Sequence, residues 1–191
     1  MNLKKGDIIE LTIDDLAYGG ERVGHYKGIA VFIDKGVVGE KVKVKIYKRK
    51  KSFLKAKLLK VIDSSTNRID PPCDIYEDCG GCQLQEIDYE YQLKLKNKMI
   101  NTQLSKIGEM KNLDSNKVIA MDYPWNYRNK AQFPFKKDEE GKIVVGFYKR
   151  GSHDIVSLKR CPIQHQLINR ITRKTLEILN EYDNFSVYNE K

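Results

Sequence analysis

The sharpest pattern along the chain is Lys41-Val42-Lys43-Val44-Lys45-Ile46-Tyr47, in which charged and apolar positions alternate. A period of two puts the lysines on one face of a strand and Val42, Val44 and Ile46 on the other. Residues 8–13 (Ile-Ile-Glu-Leu-Thr-Ile) read as a β-rich strand opening after Gly6-Asp7. Ile29-Ala30-Val31-Phe32-Ile33 is a short apolar run, as expected of a strand buried on both faces. Gly19-Gly20 and Gly24 punctuate a turn region, and residues 53–62 make a last strand. Short strands separated by glycine turns predict a small barrel over residues 1–62.

The pattern then changes. Residues 63–72 are polar and end in Pro71-Pro72, which reads as a linker. Over 88–107 the period becomes helical, with Leu93, Asn97, Ile100, Leu104 and Ile107 on one face and Gly108 as the stop. Strands are expected at 118–121, 129–136, 143–147 and 154–158, with a hairpin turn over 137–142. Pro162 suits the first turn of a final helix whose Leu167, Ile171 and Ile178 face inward. The expected architecture is an all-β OB-like barrel, then an α+β domain over 73–191 with a small antiparallel sheet.

Charge adds a function class. The net charge is +9. Residues 1–62 hold 15 Lys+Arg against 7 Asp+Glu, whereas residues 63–191 are close to neutral. Ten basic residues and no acidic one fall between Lys41 and Lys60. Basic charge concentrated on one small domain is the electrostatic footprint of a polyanion binder. Lys41, Lys43 and Lys45 form a stripe, and Lys48-Arg49-Lys50-Lys51 is the turn that follows it. No run of 18 apolar residues is present, so no membrane partner is expected. The amino-terminal stretch lacks the apolar core of a signal peptide, so a cytoplasmic location is the expectation.

The four cysteines carry the candidate chemistry. Cys73, Cys79 and Cys82 stand in a Cys-x5-Cys-x2-Cys triplet, and Cys161 precedes Pro162 far downstream. Reduced cytosolic thiols argue against disulfides. Zinc held by four thiolates normally takes two Cys-x2-Cys pairs. A triplet plus one distant Cys-Pro is closer to ferredoxin-like ligation of a [4Fe–4S] cluster, and zinc stays open as the alternative. A fourth thiol fills the position that a substrate-binding cluster would leave vacant, so such a centre is expected to be structural, or at most an electron reservoir.

Aromatic and basic residues interleave twice more. Tyr127, Arg128, Lys130 and Phe133 lie in one cluster, and Lys149 and Arg150 in the other. Aromatic faces beside cations suit unstacked RNA bases and their phosphates. The three histidines form no metal or catalytic pattern, and no phosphate-binding glycine loop occurs.

These motifs together carry a resemblance. The chain resembles the N-terminal part of the RNA uracil-5-methyltransferases, the 23S ribosomal RNA branch above all. Residues 1–62 look like its TRAM domain, Cys73…Cys79-Gly80-Gly81-Cys82-Gln83-Leu84-Gln85 like its iron–sulfur motif, and Tyr127-Arg128-Asn129-Lys130-Ala131-Gln132-Phe133 like a run of its central domain. The resemblance implies a [4Fe–4S] cluster on Cys73, Cys79, Cys82 and Cys161, and 23S ribosomal RNA as partner, with transfer RNA as the alternative substrate. It also implies a methyltransferase domain of the same polypeptide, C-terminal to these residues, that binds S-adenosylmethionine and supplies the catalytic cysteine. Tyr188-Asn189-Glu190-Lys191 looks like the start of a family segment, so the chain is expected to stop within the central domain and to be inactive alone. The rival class is a self-contained RNA-binding, iron–sulfur or zinc module with no enzymatic domain.

Overall fold

Five strands close into a barrel: β1 (Ile8–Leu16), β2 (Arg22–Tyr26), β3 (Ile29–Ile33), β4 (Lys41–Arg49) and β5 (Phe53–Asp63). Their spatial order is β1-β2-β3-β5-β4, and β4 pairs back onto β1. Every contact is antiparallel except β3 with β5. The computed structural model describes residues 3–110, 115–182 and 187; the 188–191 segment lies outside them. The chain divides into two compact units, residues 1–70 with 83–120, and residues 71–82 with 121–191.

Strict alternation builds the barrel core. Ile9, Leu11 and Ile13 of β1, Val31 and Ile33 of β3, Val42, Val44 and Ile46 of β4, and Leu54 and Ala56 of β5 point inward and form one cluster. Burying each such aliphatic side chain contributes about 1.5–3 kcal/mol. β3 is not buried on both faces: Phe32 lies on its outer side, edge-on to Phe53 with ring centroids 5.3 Å apart. Its outer surface is shielded by this aromatic pair, which an apolar run alone does not distinguish from full burial. Gly24 is no turn residue. It sits inside β2, opposite Ile13, where an added Cβ would stand 2.4 Å from the Thr12 carbonyl. Only glycine permits that approach of β1 to β2.

The first unit extends past the barrel. Helix α1 (Tyr89–Lys106) starts at Asp88, whose carboxylate accepts the Tyr91 N–H. The buried residue of α1 is Leu95, which joins Leu16, Val37 and Ile87. The expected inward stripe fails at its far end, where Ile100 and Ile107 are exposed. Periodicity identifies residues that share a face, but docking of the helix start on the barrel decides which are covered.

A buried ion network fastens residues 83–88 to the barrel. Arg22, with no exposed surface, meets the Glu86 carboxylate and also donates to the carbonyls of Gly36, Gly20 and Gln83. Arg68 reaches Glu86 at 3.0 Å and grips both oxygens of Glu40, at 2.7 and 2.8 Å. Burial opposes ionisation of Glu40, yet the Arg68 guanidinium and the Val37 and Ser65 amides outweigh it and hold the carboxyl below its ordinary range.

The second unit contains a three-stranded antiparallel sheet, β6 (Phe135–Lys137), β7 (Ile143–Tyr148) and β8 (Ile155–Ser157), with helix α2 (Gln166–Glu181). The strand expected at 118–121 is irregular chain, and that expected at 129–136 shrinks to β6, because residues 129–134 form no strand ladder. Pro162 precedes α2 rather than entering it; His165 caps the helix by accepting the Leu167 N–H at 3.2 Å. Leu167, Ile171 and Ile178 are 44%, 56% and 42% exposed, so the expected inward face lies uncovered among the described residues. α2 is held instead through Asn180, whose amide pairs with both main-chain groups of Ile143 at 2.8 and 3.0 Å. No described helix is long and apolar enough to cross a membrane.

Candidate functional site

On the barrel, pairing of β4 with β5 turns a stripe into a ladder. Lys43 stands directly across from Lys60, and Lys45 from Lys57. Like charges at such positions repel and destabilise a sheet. None of the four ammonium groups forms an ion pair among the described residues, although Glu10 of β1 stands across from Lys43. Lys55, by contrast, is compensated by Glu21 at 2.9 Å. Tyr47 continues the Lys41-Lys43-Lys45 face and is exposed, which adds a ring to a cationic surface. Lys48, Lys50 and Lys51 are exposed beyond it, whereas the Arg49 guanidinium donates to the Leu3 carbonyl. Lys57, Lys60 and Tyr47 were not assigned to this face from the sequence; the two lysines, counted in the basic block, join it only once the strand register is known.

In the second unit the main chain stitches the cysteine loop to the end of β7. Gly80 N–H donates to the Tyr148 carbonyl at 2.9 Å, Arg150 N–H to Asp78 at 3.1 Å, and the Arg150 side chain to the Cys82 carbonyl at 2.9 Å. Lys149 pairs with Asp78 at 3.2 Å. Arg150 and Lys149 therefore both hold the loop. Phe133 is similarly committed, with its ring 5.0 Å from that of Phe147. Tyr127 is exposed, and Arg128 and Lys130 line an open cavity of about 410 Å³ beside Phe147.

Cys161 is seated by α2. The Asn169 side chain accepts from Cys161 N–H at 2.9 Å and donates to the Cys161 and Gln164 carbonyls at 3.0 and 3.2 Å. Cys79 and Cys161 are buried, and Cys73 and Cys82 half-buried. Burial pushes the Cys73 thiol up against the Ile75 amide, and Cys161, Cys79 and Cys82 add to the rise, so Cys73 is within electrostatic reach of the other three. Burial also raises Cys79 and Cys161, against amides at Gly81 and at Ile163 and Gln164 respectively. Such thiols are protonated and weakly nucleophilic at neutral pH.

The expected metal centre is thus assembled only in part. The four cysteines lie in one unit, but among the described residues no three His, Cys, Asp or Glu side chains stand close enough together to hold an ion. Neutral thiols have little mutual attraction; a shared cation is what draws sulfurs into a tetrahedron. The donor set itself fits a thiophilic centre, with four sulfurs and a glycine at 81 whose Cβ would stand 3.4 Å from Cys79 Sγ.

Comparison with known proteins names the barrel. Residues 2–59 match the TRAM domain. Proteins named "uncharacterized RNA methyltransferase" from Halalkalibacterium halodurans and Clostridium tetani are each 38% identical to this chain, over 94% and 99% of its length. The chain spans about 40% of the length of these relatives (39% and 40%). The Pyrococcus abyssi tRNA (uracil-54, C5)-methyltransferase, solved with S-adenosyl-L-homocysteine, matches 94% of this chain and 38% of its own with a TM-score of 0.67. At 24% identity that likeness is one of fold. The TRAM barrel and the sheet with two helices agree with the expected fold class.

Proposed function

We propose that this chain is the RNA-docking part of an S-adenosylmethionine-dependent RNA uracil-5-methyltransferase acting on 23S ribosomal RNA. The observation that carries the docking role is the pair of lysine-on-lysine rungs, Lys43 with Lys60 and Lys45 with Lys57. Two such rungs cost stability in the free barrel and are neutralised by a phosphate backbone. The identity to RNA methyltransferases supports the enzymatic setting. In this reading S-adenosylmethionine supplies the methyl group and residues outside these 191 carry the transfer, so this chain alone binds RNA and methylates nothing.

The test is RNA binding as a function of salt. Lys45→Ala with Lys57→Ala should flatten the logarithmic salt slope by about one unit per lost phosphate contact. An unchanged slope rejects the barrel as the docking face. Competition between 23S ribosomal RNA fragments and transfer RNA separates the proposed substrate from its alternative, and methyl transfer by this chain would refute the assignment of roles.

We further infer that Cys73, Cys79, Cys82 and Cys161 hold a [4Fe–4S] cluster. Its support is the donor chemistry: four thiols in one unit, coupled through Cys73, with two of them buried. When bound, the cluster would supply cross-linking of residues 73–82 to the turn before α2. Anaerobically prepared protein should be brown and contain iron and sulfide; colourless protein with zinc rejects the cluster.

A further inference from the structure

The pairing of β4 with β5 is interrupted three times, and each interruption leaves an apolar residue unmatched. Ile46 stands across from Ala56 and Lys48 from Lys55, so Tyr47 is the extra residue between them. On β5, Leu58 lies across from Val44 and Lys60 from Lys43, which leaves Leu59 over. Val61 lies across from Val42 and Asp63 from Lys41, which leaves Ile62 over. Each is a β-bulge, in which two residues of one strand oppose one of the other. Leu54, Ala56 and Leu58 pack on the barrel core, so an unbroken period of two would turn Lys60 inward as well. The bulge at Leu59 keeps Lys60 on the outer face and lets Val61 join the core. The consequence is that Tyr47, Leu59 and Ile62 are all exposed on the outside of one pair of strands.

These three side chains interleave with the lysine rungs. Leu59 falls between the Lys43–Lys60 and Lys45–Lys57 rungs. Tyr47 falls between the Lys45–Lys57 rung and Lys48, which faces Lys55. Ile62 adjoins Asp63, whose carboxylate faces Lys41 and closes the cationic run at that end. Glu21 raises the Lys55 ammonium above its ordinary range, burial opposes the rise, and Tyr47 adds to it, so the Tyr47 phenol lies within electrostatic reach of Lys55. Outward positions two apart on a strand are about 6.8 Å apart. That is close to the step between successive phosphates of an extended polynucleotide.

A single apolar side chain on a surface needs no explanation, but three raised by bulges among uncompensated lysines form a composite face. Its ligand must be a polyanion that also presents flat or apolar surface at the same short repeat. Duplex RNA satisfies the lysines only, because its base faces are stacked on one another. An unpaired strand satisfies both, since its phosphates meet the cations and its bases are free to stack. We propose that the β4–β5 face binds an unpaired RNA strand, with phosphates at the lysine rungs and bases resting on Tyr47, Leu59 and Ile62. This rests on the RNA-docking reading and adds that the barrel distinguishes single strands from duplex without reading their sequence.

The test uses the whole chain and three fluorescent RNAs of about 12 nucleotides, within the span that one OB-like barrel covers. They are a uridine strand, an abasic strand of the same charge, and the uridine strand paired with its adenosine complement. The uridine strand should bind about tenfold more tightly than the abasic one, the effect of stacking one base. Tyr47→Thr, which keeps a strand-forming residue and removes the ring, should erase most of that ratio and leave abasic binding and the salt slope unchanged. Tyr47→Phe should preserve the ratio. Leu59→Thr with Ile62→Thr should lower it about two- to threefold. Duplex binding should respond to Lys45→Ala with Lys57→Ala and to none of the others. Equal affinity for the uridine and abasic strands overturns the proposal, as does a ratio that survives Tyr47→Thr. A Tyr47→Thr loss that is equal on both strands marks a structural role and overturns it too, and so does the same loss on phosphatidylglycerol vesicles, which assigns the face to a lipid surface. In each of these cases a salt slope flattened by the lysine substitutions leaves RNA docking intact. Failure to bind any of the three RNAs overturns the docking reading as well.

Discussion

Replacing Glu86 by Gln should loosen the TRAM barrel although Glu86 lies outside the matched residues 2–59. Its carboxylate meets Arg22 and Arg68, and accepts the Gly36 N–H at 3.0 Å. Breaking a buried pair by removing one partner costs about 3–5 kcal/mol. Arg22 keeps three carbonyl acceptors and Arg68 keeps Glu40, so the lower end, about 3 kcal/mol, applies. Two compact units make a single unfolding midpoint ambiguous, so the assay is hydrogen exchange resolved by peptide. Amides in residues 22–33 should exchange by opening roughly a hundredfold more often, while those in residues 143–157 keep their protection. Protection reduced by less than about fivefold, or reduced equally in both regions, refutes the reasoning. The double variant Arg22→Met, Glu86→Leu should be less destabilised than either single one, because no unpaired charge remains buried.

Further outcomes follow from other sites. Lys57→Glu should turn a repulsive rung with Lys45 into an attractive one, raising barrel stability by about 0.2–1 kcal/mol in thermal melts while weakening RNA binding. Gly24→Ala places a methyl against the Thr12 carbonyl and should cost about 1–3 kcal/mol by denaturant unfolding. Glu40 is held below its ordinary range, so the stability it contributes is present above the unfolded-state carboxyl range and lost as pH falls through its lower folded value; Glu40→Gln should flatten that acid-side loss. Asn169→Ala removes the side chain that seats Cys161 and should speed alkylation of that buried thiol in metal-free protein, measured by mass spectrometry.

Legibility followed the range of the interactions. β4 was readable because a period-two pattern is local, and α1 because Asp88 and Gly108 bracket a helical period. β2 was missed because Gly24 looks like a turn until β1 lies 2.4 Å from where its Cβ would be. The network of Arg22 with Glu86, 64 positions apart, leaves no trace in composition, since each residue alone reads as surface charge. Lys57 and Lys60 join the basic face only through register. The cysteines were the opposite case, conspicuous in spacing but not fully drawn together.

The division of the chain bears on how such modules can be exchanged between proteins. The polypeptide passes between units after residues 70, 82 and 120, so the barrel's folding unit is discontinuous and larger than its sequence signature. A graft cut at the end of the barrel strands would carry Arg22 and leave its carboxylate behind. Recombination that preserves a working TRAM barrel must therefore transplant residues 83–120 with it, and the intervening cysteine segment travels as a passenger.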